Sequence, residues 1–194
     1  MSFKNEIQEI IISSSETISN IEKNSSQIQS IILKIISTIK NGNKIILFGN
    51  GGSAADAQHI AAELIGRFQL ERQSFPAIAL STDSSVITSL SNDYSFDQVF
   101  SRQCESLVGK NDLVIGISTS GNSKNVINGV IAAKKKNAIA IGLLGNGGGK
   151  LKEIVDIPLI VKSKSTARIQ EAHRVIYHII CELVEKELVE KDEK

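Results

Sequence analysis

Beyond residue 43, five short apolar runs alternate with longer stretches of helical spacing, and this alternation restricts the fold more than any other feature of the chain. The runs cover residues 44–48, 77–80, 113–117, 139–143 and 157–161. Short apolar runs bounded by Gly, Asn and Ser suit strands buried on both faces. Helices are expected over 54–66, 96–108, 124–136 and 166–191. A repeated strand–loop–helix order predicts an α/β fold, a parallel sheet with helices on both faces. Ligands of such sheets bind at the carboxyl ends of the strands. The residues just after each apolar run therefore carry the functional reading.

The first 40 residues have a different texture. Ile7, Ile11, Ser14, Ile18, Ile21, Ser25, Ile28, Ile32, Ile35 and Ile39 are spaced alternately by four and three, the stripe of a packing helix. Asn24-Ser25-Ser26 marks a break and offers an N-cap for a second helix. Ile10, Ile31 and Ile36 lie off the stripe, and so wide an apolar surface favours packing against copies of the same chain. The 194 residues are read as a single domain, with 1–40 a helical oligomerisation segment and 41–194 the α/β core.

Composition narrows the class. The chain is 41% hydrophobic with a net charge of +1, so it can bury a core and lacks the basic surplus of a general nucleic-acid binder. Two cysteines, Cys104 and Cys181, are too few for a disulfide framework and point to a reducing compartment. The polar opening residues lack a signal-peptide apolar segment. No apolar run approaches the roughly 18–20 residues of a membrane span. The expectation is a cytoplasmic protein with neither nucleic acid nor membrane as partner. Residues 190–194, all charged, read as a solvated end.

Two strand-end loops stand out. Gly49-Asn50-Gly51-Gly52-Ser53-Ala54 lets the backbone approach a ligand, and the helix behind it presents free N–H groups. The run also fits the dinucleotide pattern G-x-G-x-x-A. The acid expected at the end of the next strand is missing, because Ser81 and Thr82 follow Leu80. The second loop, Ser118-Thr119-Ser120-Gly121-Asn122-Ser123, places four hydroxyls in six residues before a helix. Hydroxyls and N–H groups at a helix N-terminus can hold a phosphate without a lysine. A third loop, residues 144–149, reads as a flexible turn, and no chemistry is assigned to it.

His59 and Glu63 share a helical face four residues apart, and should point together toward the strand-end crevice. Imidazole and carboxylate are a donor set that suits zinc. His173 and His178 follow Gln170 and Glu171 on the last helix. Gln170 and His178 are about 80° and about 12 Å apart on a regular helix, so the wheel favours Glu171 as the partner of His178.

These residues, in this order and with these spacings, resemble the sugar isomerase (SIS) domain and, within it, the phosphoheptose isomerase family. The resemblance carries over Gly49 to Ser53, the His59/Glu63 pair, the loop from Ser118 to Ser123, and Arg168-Ile169-Gln170-Glu171-Ala172-His173. It implies a three-layer, flavodoxin-like sandwich with a five-stranded parallel sheet. A homotetramer follows, with the N-terminal helices at its interface. The implied reaction interconverts sedoheptulose 7-phosphate and an aldoheptose 7-phosphate for bacterial surface polysaccharide.

The same resemblance assigns residues. It makes Glu63 and His178 the acid–base pair, and His59, Glu63, Gln170 and His178 the ligands of one zinc ion per subunit. Gln170 is also a substrate contact, with Asn50, Gly51, Gly52, Ser53, Asn92 and Asp93. Phosphate falls to Ser118, Thr119, Ser120 and Ser123. The family thus prefers Gln170 where the wheel prefers Glu171; an irregular helix start or a site shared by two subunits would reconcile them. Ala167 departs from an acidic residue in some relatives, which bears on rate or substrate preference. Two other readings are a non-catalytic SIS protein that binds a sugar phosphate or a replication initiator, and a nucleotide-dependent oxidoreductase. The first would not need Glu63 and His178; the second leaves the serine loop unexplained.

Overall fold

A computed structural model describes residues 3–189. Two helices lead the chain, α1 (Phe3–Ser19) and α2 (Ser25–Lys40), joined by a 3-10 turn over Asn20–Asn24. Asn24 stands at the N-cap of α2, as the sequence suggests, but its side chain makes no capping bond. In α2 the stripe residues Ile28, Ile32 and Ile35 and the off-stripe Ile31 and Ile36 are buried and Ile39 is half-buried, whereas Ile7, Ile10, Ile11 and Ile12 of α1 are exposed.

Five parallel strands follow: β1 (Ile45–Gly49), β2 (Ala77–Ala79), β3 (Leu113–Ser118), β4 (Ile139–Gly145) and β5 (Ile157–Val161). Their order is β2-β1-β3-β4-β5. The expected parallel sheet is present, and each apolar run became a strand.

Alternate strand residues face two cores. Ile45, Leu47, Ile115 and Leu143 pack under α2, α3 (Gly52–Ile65) and α7 (Thr166–Val189). Ile46, Phe48, Val114 and Leu144 pack under α5 (Val99–Leu107) and α6 (Lys124–Lys135). The result is the three-layer sandwich. The expected helix over 96–108 is divided, since its first turn, Phe96–Gln98, is 3-10. A further helix, α4 (Ser84–Asp93), was not expected; the Asp83 carboxylate caps it by accepting from Val86 N–H. The charged residues 190–194 lie outside the described residues. Among those described, no helix is long and apolar enough to cross a membrane.

Candidate active site

Strand order decides where the loops meet. The chain moves from β1 outward to β2, then back past β1 to β3, so β1 and β3 flank the switch point where ligands bind. The glycine loop leaves β1 and the serine loop leaves β3, which makes them neighbours. Gly51 has φ +55°, a conformation that glycine adopts without strain. The Asn50 and Asn125 amides exchange two hydrogen bonds of 2.8 Å and join the glycine loop to the start of α6. Ser53 is buried, its N–H bonded to the Asn50 carbonyl at 3.0 Å.

In the serine loop the roles divide. Ser118 is buried, 3.0 Å from the Ser123 hydroxyl, and accepts from Gly121 N–H. Thr119 and Ser120 are half-buried at the mouth of the loop. Ser120 accepts from Asn122 N–H at 3.1 Å. The 144–149 loop braces this cradle: a Cβ on Gly121 would collide with the Gly148 carbonyl, and Leu151 N–H donates to the Gly121 carbonyl at 3.0 Å.

His59, Glu63 and His178 converge where α3 packs on α7. His59 Nε2 lies 2.9 Å from Glu63 Oε1 and 3.5 Å from His178 Nε2. One donor atom from each falls within 4.8 Å of the others, and all three side chains are half-buried. Burial and the neighbouring His59 ring hold the His178 pKa below its ordinary value, while Glu63 pulls the other way. His178 is therefore a neutral imidazole at neutral pH.

The pair does not open into the crevice as expected. His59 and Glu63 lie seven and eleven residues into α3 from Gly52, about 10 and 16 Å along its axis. Within one chain the cluster is set back from the glycine loop by two to three helical turns. Gln170 stays with the loops instead, where a Cβ on Gly52 would collide with its amide. It shares a small pocket with Gly52, Asp56, Ala167, Glu171 and Arg174. Helix α7 is continuous from Thr166, so no irregular start brings Gln170 toward His178. Glu171 is no partner of His178 either: it accepts from Ser14 at 2.7 Å and pairs with Arg168, tying α1 to α7. Asn92 and Asp93 are exposed at the end of α4 and bonded to each other.

Several residues escaped the sequence reading. The Tyr177 hydroxyl lies 3.2 Å from His59 Nδ1 and 3.4 Å from Asp56 Oδ1. Burial, with Asp56 beside it, pushes the Tyr177 pKa up to about 12. Glu185 receives the N–H groups of Phe68, Gln69 and Leu70 and the Arg72 guanidinium, while Arg72 also donates to the Glu63 carbonyl at 2.8 Å. His173 is structural, buried with its Nε2 3.0 Å from the Leu144 carbonyl. Tyr177, Arg72 and Glu185 carried no local motif, whereas Asp56, three residues before His59, offered a helical-spacing hint.

The donor chemistry fits a metal ion. Two imidazole nitrogens and a carboxylate oxygen converge, a mixed nitrogen and oxygen donor set of the kind a divalent zinc ion takes. His59, Glu63 and His178 are thus a group that can hold a metal ion.

Known proteins share this sequence and this fold. The SIS domain family matches residues 11–145. A phosphoheptose isomerase of Citrifermentans bemidjiense is 53% identical, over 84% of this chain and 85% of the relative. One from Aliarcobacter butzleri is 56% identical, over 79% and 81%. Among solved structures, phosphoheptose isomerase from Neisseria gonorrhoeae superposes with a TM-score of 0.91 at 38% identity, covering 95% of this chain and 100% of that one. The Francisella tularensis enzyme gives 0.93 at 33%, covering 96% and 100%. With this fold, these loops and this level of identity, the chain belongs to the SIS-domain family and, within it, to the phosphoheptose isomerases, which are aldose–ketose isomerases.

Proposed function

We propose that the protein interconverts D-sedoheptulose 7-phosphate and D-glycero-D-manno-heptose 7-phosphate through an enediolate, supplying heptose for bacterial surface polysaccharide. The observation that carries this reading is the convergence of the Glu63 carboxylate and the His178 ring, from opposite halves of the chain, in one cluster. Isomerisation moves a proton between adjacent carbons, and it needs a base at carbon and an acid–base group at oxygen. Glu63 takes the carbon-bound proton and returns it to the neighbouring carbon. His178, neutral at working pH, relays the proton between the two oxygens. Thr119, Ser120 and the N-terminus of α6 hold the phosphate, with Ser123 beside them and Ser118 bracing the loop from beneath. Fixing that end places the reacting carbons. Asn50, Gly51, Gly52 and Ser53 line the sugar, with Asn92 and Asp93 closing from α4.

Zinc is the proposed ion, one per subunit, held by His59, Glu63, Gln170 and His178; when bound it supplies Lewis-acid stabilisation of charge on the sugar oxygens. Gln170 stands with the loops, and the other three ligands are set back along α3 and α7. The site is therefore assembled between copies, the loops and Gln170 of one subunit meeting the cluster of the next. A homotetramer provides this. The exposed isoleucines of α1 and an apolar groove of about 810 Å³ lined by Ile18, Ile28, Ile32, Val175, Ile179 and Leu183 support the association. The proposed location is the cytoplasm.

A coupled assay on sedoheptulose 7-phosphate, with and without chelator, tests the reading. Formation of aldoheptose phosphate that chelation abolishes and zinc restores is expected. A purified, folded protein that forms no aldoheptose phosphate with zinc present overturns it in favour of a non-catalytic role.

A further inference from the structure

We propose that Tyr177, backed by Asp56, is a positioning residue that fixes His59 in its Nδ1–H tautomer, so that the Nε2 lone pair faces Glu63 and His178. A phenol has one proton to donate, and a carboxylate only accepts. Asp56 is buried, and its Oδ1 stands 3.4 Å from the Tyr177 hydroxyl and 3.4 Å from the Arg174 guanidinium. The phenol proton therefore goes to Asp56. The phenol oxygen is left as an acceptor with two lone pairs, one for the Arg174 guanidinium and one for His59 Nδ1, which faces it at 3.2 Å and carries the ring proton. In the singly protonated ring, the form that ligates a metal, Nε2 is then bare.

That outcome runs against the local preference. Glu63 Oε1 lies 2.9 Å from His59 Nε2 and would by itself draw the proton to that nitrogen. A proton there would block the lone pair that the cluster presents to a metal ion. The relay Asp56–Tyr177–His59 reverses the choice from the far side of the ring. Partners behind a ligating histidine act in this way, setting its tautomer and orientation. Neither Tyr177 nor Asp56 needs to touch the ion or the sugar to do so. The inference rests on the proposed metal reading of the cluster, and its test separates the two.

With three histidines in the chain, long-range proton–nitrogen NMR on histidine-labelled, metal-free protein can assign each ring. The expected wild-type state of His59 is Nδ1–H. Asp56→Ala releases the phenol proton toward Nδ1, and Tyr177→Phe removes the acceptor while keeping the buried ring. Both should move the His59 proton to Nε2 and weaken zinc binding, measured by chelator competition, about 10–100-fold. Secondary structure and assembly should stay at wild-type levels in Tyr177→Phe. An Nε2–H tautomer in the wild type overturns the inference, and so does a tautomer that neither substitution moves. A wild-type protein with the Nδ1–H tautomer but no zinc affinity supports the relay and overturns the metal reading instead.

Discussion

The side-chain amides of Asn50 and Asn125 bond each other in both directions at 2.8 Å, one from the loop after β1 and one from the first turn of α6. Asn125 is buried and its Oδ1 also accepts from Val126 N–H at 2.9 Å. The pair sets the spacing between the part of the crevice proposed for the sugar and the part proposed for phosphate. Asn125→Ala leaves the Asn50 amide without its partner, and misplacement of this kind is costly in rate. The expected result is a drop in kcat/KM of about 10-fold or more with the oligomeric state unchanged, read by steady-state kinetics and sedimentation. Unchanged kinetics would mean that the two loops hold their spacing without the amide pair.

Glu63→Gln and His178→Gln should each slow turnover by at least about a hundredfold. Gln170→Ala should also be severely impaired. If loops and cluster come from different subunits, co-expressing Glu63→Gln with Gln170→Ala creates some sites that carry neither lesion. Activity should then recover to about a quarter of wild type in mixed tetramers. Activity that stays at the level of the single variants would place the whole site within one chain.

Gly121 has φ +65°, and a Cβ there would meet the Gly148 carbonyl, a backbone group that cannot step aside. Gly121→Ala should therefore displace the loop that presents Thr119 and Ser120, raising KM for sugar phosphate more than it lowers kcat. Thr119→Ala and Ser120→Ala should raise KM without altering thermal stability, since both side chains are half-buried. Ser118→Ala should act differently. Its buried hydroxyl supports Ser123 and Gly121, so it should lower stability by about 1–3 kcal/mol, measured by denaturant unfolding.

Burial alone would raise the Glu185 pKa, but three backbone N–H groups and Arg72 outweigh it and hold the carboxyl below its ordinary value near 4.5. A depressed folded pKa adds stability above the ordinary value and loses it as pH falls through the folded value. Unfolding curves between neutral pH and pH 3 should show the wild type losing stability below about pH 4.5, with Glu185→Gln losing less over the same window. At neutral pH Glu185→Gln should be the less stable protein by about 3–5 kcal/mol, because Arg72 is left buried without its counter-charge. Equal acid sensitivity in both proteins would remove Glu185 from this role.

All five strands were legible because each is a continuous apolar run, buried in β1 and β3 on every residue. Helix α4 was not, since none of its residues is buried and its one clear signal is the Asp83 cap. His59 and Glu63 could be paired from i, i+4 spacing, and the helical wheel correctly kept Gln170 apart from His178. What the wheel could not supply is the neighbour across a packing interface. Glu171 lies on a suitable face for His178, yet Ser14 of α1 claims it. Tyr177 and Asp56 become partners only when α7 settles on α3, and Asn125 meets Asn50 only because β3 lies beside β1.

Helices α3 and α7 are fastened to each other above and below the metal-competent cluster. Gly52 and Gln170 touch at the upper end, and Glu185 grips the turn that leaves α3 at the lower. His59 and His178 lie between the two fastenings and Glu63 in the last turn of α3, like a load on a beam clamped at both supports. The separation of these three donors is therefore tied to the α3–α7 contact, and their release of metal on heating should coincide with unfolding of the helix pair and not precede it.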